Sequence, residues 1–182
     1  MNFCSTCGSS DIRLAVPEGD TFERHVCATC AAVFYSNPKM IVGCLVTDEA
    51  GRVLLCKRAI EPRCGLWNLP CGFLENGETV EQGAMRETWE EALIKVSAPR
   101  LHCIYNIPKV DQVYIIYAAQ LLHRAEGTTT ESLEVEFFSE QDIPWQDIAF
   151  TSTTFALKKY FDFLGKEAIP VHVGTFSNFA AR

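Results

Sequence analysis

The chain has 182 residues, of which 48% are hydrophobic, and a formal charge of −7. That length supports one good core and a small appended module, and the acidic balance argues against a general nucleic-acid binder. No apolar run reaches the roughly 18 residues that read as a membrane span, and MNFCSTCGSS lacks the basic-then-apolar layout of a secretory signal, so no membrane partner and a cytoplasmic location are expected.

The first 36 residues carry two C-x2-C pairs, Cys4 with Cys7 and Cys27 with Cys30, separated by 19 residues. Paired knuckles of this kind read as a tetrahedral four-cysteine zinc site. Gly8 suits the first tight turn, and the small Ala31 and Ala32 crowd the second very little. A thioredoxin-like redox pair would need a single C-x2-C at a helix start. FERHVC and AVFYS read as short strands around the second knuckle. So small a segment cannot hold a core unaided, so bound metal supplies its folding energy. Its basic side chains are Arg13 and Arg24 alone, a poor footprint for nucleic-acid phosphates.

Asn37-Pro38 marks a boundary, which divides the chain into a ribbon (1–36), a main domain (37–170) and a tail (171–182). KMIVGCLVTD and RVLLCKR flank the turn DEAG and form a hairpin by composition. IEPRCG reads as a loop, and WNLPCGFLE as a short strand running into a glycine loop. LHCIYNI, QVYIIYAAQLL and LEVEFF read as three further strands. SEQDIPW reads as a turn or short helix, TSTTFALKKYFDFLG as an amphipathic helix, and the tail IPVHVGTFSNFAAR as irregular. Strands in mixed order around two helices indicate an α/β/α sandwich, an α+β arrangement rather than a doubly wound sheet. Cys44, Cys56, Cys64, Cys71 and Cys103 lie mostly in apolar, strand-like stretches and read as buried thiols acting as small hydrophobes. His25, His102, His123 and His172 show no ligand spacing and take no role.

Between Gly72 and Ile94 runs GFLENGETVEQGAMRETWEEALI. Thr79 and Gln82 have capping-box spacing, which starts a helix there. Residues three and four apart share a helix face, so Glu87, Glu90 and Glu91 converge. Three like charges in one patch repel unless a cation fills the space between them, and hard divalent cations take oxygen ligands. A magnesium or manganese site is the reading. The glycine loop ahead of the helix lets backbone groups approach a phosphate or metal closely.

This segment resembles the Nudix box: Gly, five residues, Glu, seven residues, Arg-Glu, an apolar residue, one residue, Glu-Glu, one residue, Gly, an apolar residue. Gly72, Glu78, Arg86, Glu87, Glu90, Glu91 and Ile94 fall on it in register. Thr88 stands where the family prefers an aliphatic residue, and Leu93 where it prefers Gly. That Gly ends the helix in a left-handed conformation, which costs an L-residue about 1–2 kcal/mol. Either the helix runs further here or Leu93 is strained.

The resemblance implies a Nudix α/β/α sandwich with a mixed sheet behind the zinc ribbon, and an Mg²⁺- or Mn²⁺-dependent pyrophosphohydrolase. Glu87, Glu90 and Glu91 match the family's metal-ligating positions, while Glu78 and Arg86 match the pair that braces loop to helix. The Gly72 carbonyl is a further ligand candidate. The family commonly borrows an acidic residue from a downstream loop; of Glu131, Glu134 and Glu136, Glu131 is favoured because it lies at the mouth of its strand. Lys57, Arg58 and Arg63 precede the loop and are the candidates for gripping a diphosphate. Tyr35, Trp67, Tyr105 and Tyr114 are candidates for stacking on a purine or flavin ring.

The likeness extends over nearly the whole chain to the branch that includes plant chloroplast FAD pyrophosphatases. A second zinc-ribbon branch, the NADH pyrophosphatases, carries Ser-Gln-Pro-Trp-Pro-Phe-Pro after the box. Here SAPRLHCIYNIPKVDQVY occupies that stretch without the array. Pro108 lies where ADP-ribose-type enzymes often have a proline. The resemblance therefore ranks FAD (to FMN and AMP) and ADP-ribose above NADH. A non-catalytic nucleotide-binding module is the alternative. The family's frequent dimerisation makes a homodimer an expectation.

Overall fold

The computed structural model describes residues 1–127 and 129–176 and divides into two units, Met1–Pro38 and Lys39–Arg182. The first is a three-stranded antiparallel sheet in which β1 (Ile12–Ala15) pairs with β2 (Arg24–Cys27), and β2 with β3 (Val33–Phe34). The two strands around the second knuckle are as expected, but β1 is an addition. Its sequence, IRLA, is too short to show a period, and Leu14 within it is exposed. Cys4 and Cys27 are the only buried apolar side chains described in this unit.

The second unit is built on a mixed sheet of nine strands. These are β4 (Lys39–Thr47), β5 (Val53–Arg58), β6 (Trp67–Asn68), β7 (Cys71–Phe73), β8 (Ile94–Val96), β9 (Arg100–Ile107), β10 (Gln112–Arg124), β11 (Ser132–Phe138) and β12 (His172–Thr175). The main order is β11-β5-β4-β10-β9-β12, with β6 on β5, β7 on β4 and β8 on β10. β4 runs parallel to β10, β9 antiparallel to β10, and β12 parallel to β9.

A helix covers each face, which accounts for the unbroken apolar run in β4. On one face Val42, Cys44, Val46, Leu54 and Ile94 pack against Ala84 and Ala92 of α1 (Val80–Ala92). On the other, Leu45, Leu55, Leu69 and Ile116 pack against Ala156 and Leu157 of α2 (Thr151–Asp162). Each wholly buried leucine contributes roughly 1.5–3 kcal/mol of transfer free energy. This is the expected α/β/α sandwich. No helix among the described residues is long and apolar enough to cross a membrane.

Three readings change. β4 and β5 are neighbours, but a single pair, Thr47 with Val53, joins them; β7 pairs with β4 at Ile41, Val42 and Gly43, and β10 runs along the opposite edge. The tail is not irregular throughout: β12 adds an edge strand, with His172 buried and Gly174 so close to Phe155 and Tyr105 that a Cβ would collide with both rings. Residues 177–182 of that tail lie outside the described residues. Cys64 is exposed in the loop after β5, unlike Cys44, Cys56, Cys71 and Cys103, which are buried.

Candidate active site and metal centres

Helix α1 begins where its sequence directs. Thr79 accepts from the Gln82 amide at 3.2 Å, and the Gln82 side chain accepts from the Thr79 amide at 2.7 Å, closing the capping box. The helix stops at Leu93, whose φ of 55° and ψ of 36° are left-handed and whose N–H donates to the Trp89 carbonyl. The strained alternative is therefore the one adopted, at about 1–2 kcal/mol.

Between these ends Glu87 and Glu91, one turn apart, are buried at 7% and 5% exposure, while Glu90 is exposed. Arg86 ties the cluster together. Its Nε and Nη2 donate to the two Glu78 oxygens at 3.0 and 2.7 Å, a bidentate grip. Nη2 also donates to the Phe73 carbonyl at 3.0 Å, and Nη1 to Glu87 at 2.7 Å and Glu90 at 2.9 Å. One guanidinium thus links the β7 loop to the helix. Gly72 is required by proximity, since a Cβ there would run into the Glu87 carboxylate.

The electrostatics differ along this row. The Arg86 guanidinium holds Glu78 down to about 2. Burial pushes Glu87 up, against the pull of Arg86. Burial, with the charge of Glu87 added, pushes Glu91 up to about 8. Among the described residues, the one hydrogen bond to the Glu91 carboxylate is a long one, 3.4 Å from the Cys71 amide. Such a carboxylate is costly to ionise without a counter-charge.

A cavity of about 510 Å³ opens on these groups. Glu87, Glu90, Glu91, Arg86, Gly72 and Glu131 line it. Glu131 just precedes β11, where its carbonyl accepts from the Ala59 amide at 2.8 Å. The donor set is all oxygen, partly buried and short of cations, which suits Mg²⁺ or Mn²⁺. The oxygens do not already meet at one point. Among the described residues, only the four ribbon thiols bring their ligand atoms within 4.8 Å of one another.

The three basic candidates separate. Arg58 lines the cavity, with Nε donating to the Pro62 carbonyl at 2.9 Å and the guanidinium 5.2 Å from the Phe150 ring centroid. Lys57 does not line it; its ammonium is paired with Glu134 at 2.7 Å. Because consecutive strand residues point to opposite faces, Lys57 and Arg58 could not both face the pocket. Arg63 sits in the following loop with φ 68° and is also outside the lining. Of the stacking candidates Tyr114 alone lines the cavity. Trp67 and Tyr105 are in the core and Tyr35 is exposed in the first unit, beside Arg24. Phe73, Phe150 and Gln112 line the cavity without having been singled out from sequence. Phe73 stands directly after Gly72, a signal that could have found it.

In the first unit the Cys4–Cys30 and Cys7–Cys27 sulfur pairs are each 3.6 Å apart. Sulfurs at tetrahedral corners 2.3 Å from zinc are ~3.8 Å apart. Gly8 and Ala31 sit at equivalent turns, each N–H donating to the carbonyl of the first cysteine of its knuckle. Both have positive φ, 75° and 59°.

Comparison with known proteins agrees with this geometry. A family model of the NUDIX domain matches residues 37–157, and one of the Nudix N-terminal zinc ribbon matches residues 2–36. The chain is similar to the NAD-capped RNA hydrolase NudC of Chromobacterium violaceum, 32% identical over 146 residues, which is 80% of this chain and 50% of that protein. It is also similar to an ADP-ribose pyrophosphatase of Methanocaldococcus jannaschii, 29% identical over 60% of this chain and 67% of the relative. The chain thus spans about half the length of the first of these relatives. Among solved structures, a NUDIX hydrolase from Nitrosomonas europaea superposes with a TM-score of 0.89 at 46% identity, covering 97% of this chain and 99% of that one. With a matching domain model, a matching ribbon model and Gly72, Arg86, Glu87, Glu90 and Glu91 of the box lining one cavity, the chain belongs to the NUDIX domain family and carries that family's N-terminal zinc ribbon.

Proposed function

We propose that the protein is a pyrophosphohydrolase that uses Mg²⁺ or Mn²⁺ to split the phosphoanhydride of a dinucleotide-type substrate. One observation carries this: the buried, under-compensated Glu87 and Glu91 share a cavity with Glu90, Glu131 and the cationic Arg58. Glu87, Glu90 and Glu91 would hold the cation, with Glu131 and the Gly72 carbonyl as further ligands. The bound cation supplies charge neutralisation at the phosphate oxygens and activates water. Arg58 receives the remaining phosphate oxygens. Arg86 keeps Glu87 and the β7 loop in position. A carboxylate of the set left free of metal takes the proton of the attacking water. The water oxygen bonds to phosphorus, the bridging P–O bond breaks, and two monophosphates leave. The ribbon thiols hold a structural zinc.

FAD and ADP-ribose are the preferred substrates, giving FMN and AMP, or AMP and ribose 5-phosphate. The absence of the Ser-Gln-Pro-Trp-Pro-Phe-Pro array supports that ranking, and the likeness to an ADP-ribose pyrophosphatase agrees with it. NADH or an NAD-type RNA end is the second reading, favoured by the likeness to an NAD-capped RNA hydrolase over 80% of this chain. Incubating the protein and Mg²⁺ with FAD, ADP-ribose, NADH and an NAD-capped RNA tests both. AMP from FAD or ADP-ribose at the highest kcat/KM supports the first reading. Preference for the NAD-type pair selects the second, and no cleavage of any favours a binding module.

A further inference from the structure

Register places three side chains in a row beside the carboxylates. Ile41 of β4 pairs with Phe73 of β7 on one side and with Tyr114 of β10 on the other. Directly paired residues of adjacent strands share a face, and all three line the cavity that holds Glu87 and Glu91. Phe73 is 49% exposed, whereas Ile41 and Tyr114 are buried at 5% and 7% exposure and belong to the core as well as to the cavity lining. Gln112 lies two residues before Tyr114, hence on the same face, and lines the cavity as well. Its side-chain oxygen accepts from the Tyr114 hydroxyl at a long 3.4 Å. Among the described residues, its amide nitrogen meets no acceptor.

This corner differs chemically from the rest of the cavity. The carboxylates and Arg58 suit metal and phosphate. The row is apolar, aromatic at both ends, and bordered by one carboxamide. Phe73, the open end of that row, offers a ring on which a planar heteroaromatic group stacks, with Ile41 and Tyr114 flooring the cavity beside it. A carboxamide matches adenine with both of its groups, accepting from the exocyclic N6 and donating to N7. Guanine presents acceptors at both N7 and O6, which sets the amide oxygen against another acceptor.

We propose that Gln112 reads the base of the substrate nucleotide as it lies on the Phe73–Ile41–Tyr114 row, selecting adenine over guanine. The inference rests on the cavity being a nucleotide site, as the proposed function has it. Base choice, however, is read by binding and not only by turnover.

Calorimetric titration of the full chain with AMP and with GMP, in Mg²⁺, tests it. The wild type binds AMP more tightly by about tenfold or more, and in Gln112→Leu that ratio collapses to within about twofold through loss of AMP affinity. Gln112→Glu reverses the preference, because a carboxylate accepts from guanine N1–H and N2–H2 but meets adenine N7 acceptor to acceptor. Gln112→Asn withdraws the amide by one methylene and lowers the ratio with the least disturbance, which keeps the test open should the leucine variant fold poorly. Equal AMP and GMP affinity in the wild type, or a ratio unmoved by these substitutions, overturns the inference. Selective AMP binding with no cleavage of FAD, ADP-ribose, NADH or an NAD-capped RNA would leave it standing and overturn the hydrolase reading alone.

Discussion

The two candidate metal centres are supported in opposite ways. In the ribbon, four sulfurs already crowd within 4.8 Å of one another, and only Cys4 and Cys27 are buried among its apolar side chains. Little but an ion can hold that unit together. In the second unit the carboxylates lie along a fully capped helix over a large apolar core, and Arg86 pairs with Glu78, Glu87 and Glu90 without offsetting the burial of Glu87. On the proposed function, an ion there would be a reagent and not the glue. The same contrast recurs within the acidic cluster, where Glu78 is pulled down to about 2 and Glu91 pushed up to about 8. Partners and burial, not residue type, decide what each carboxylate is ready to do.

Three substitutions sharpen the contrast from the catalytic side and the ribbon side. Glu91→Gln should lower turnover by about a hundredfold or more while leaving melting of the second unit no worse; near-normal kcat would remove Glu91 from the chemistry. Cys27→Ser should abolish zinc binding, and with it a contribution on the order of 10 kcal/mol that structural zinc supplies to folding. Amide spectra should then show residues 1–38 collapsed and the core strands intact; a folded ribbon in the variant would break the comparison. Arg86→Gln leaves Glu78 and Glu87 short of partners and should cost about 1–3 kcal/mol, read by urea denaturation.

A pH series separates the centres further. All three tryptophans, Trp67, Trp89 and Trp145, lie in the second unit, so their fluorescence reports that unit alone. Without a divalent cation, the Glu91 contribution to its stability should fall as pH rises from the usual 4.5 of a glutamate to about 8. It is read as the difference between wild type and Glu91→Gln, because buried His102 and His172 act in the opposite direction. Over that window the unfolded carboxylate has lost its proton while folded Glu91 retains it, so the folded state binds more protons. Glu91→Gln, or saturating Mg²⁺, should remove that contribution from the slope; a slope identical in the variant and the wild type would contradict it. The smallest effect belongs to the ribbon. Ala31→Gly relieves a left-handed alanine and should add about 0.5–1 kcal/mol to zinc-bound ribbon stability, measured by thermal denaturation.

What was legible in the sequence was local. The capping box at Thr79, the shared helix face of Glu87 and Glu91 and the two cysteine knuckles depend on spacings of three or four residues, fixed by turn and helix geometry. The expected convergence of Glu87, Glu90 and Glu91 on one point, by contrast, is not seen. Even the left-handed Leu93 could be posed as a question from its position. What stayed hidden was set by pairing over long separations. Gln112 and Phe73 share a cavity only because β10 and β7 both flank β4, and nothing near either residue records that. Lys57 was a fair candidate until β11 brought Glu134 opposite it. β12 was overlooked because a four-residue edge strand containing glycine has no readable period, and its partner β9 lies more than sixty residues earlier.

Anomalous diffraction from crystals soaked in Mn²⁺ with a non-hydrolysable ADP-ribose analogue tests the central claim most directly. The expected result is manganese density between the oxygens of Glu87, Glu90 and Glu91, touching the diphosphate. Density confined to the ribbon thiols, with those oxygens still held only by Arg86 and the Cys71 amide, would contradict it.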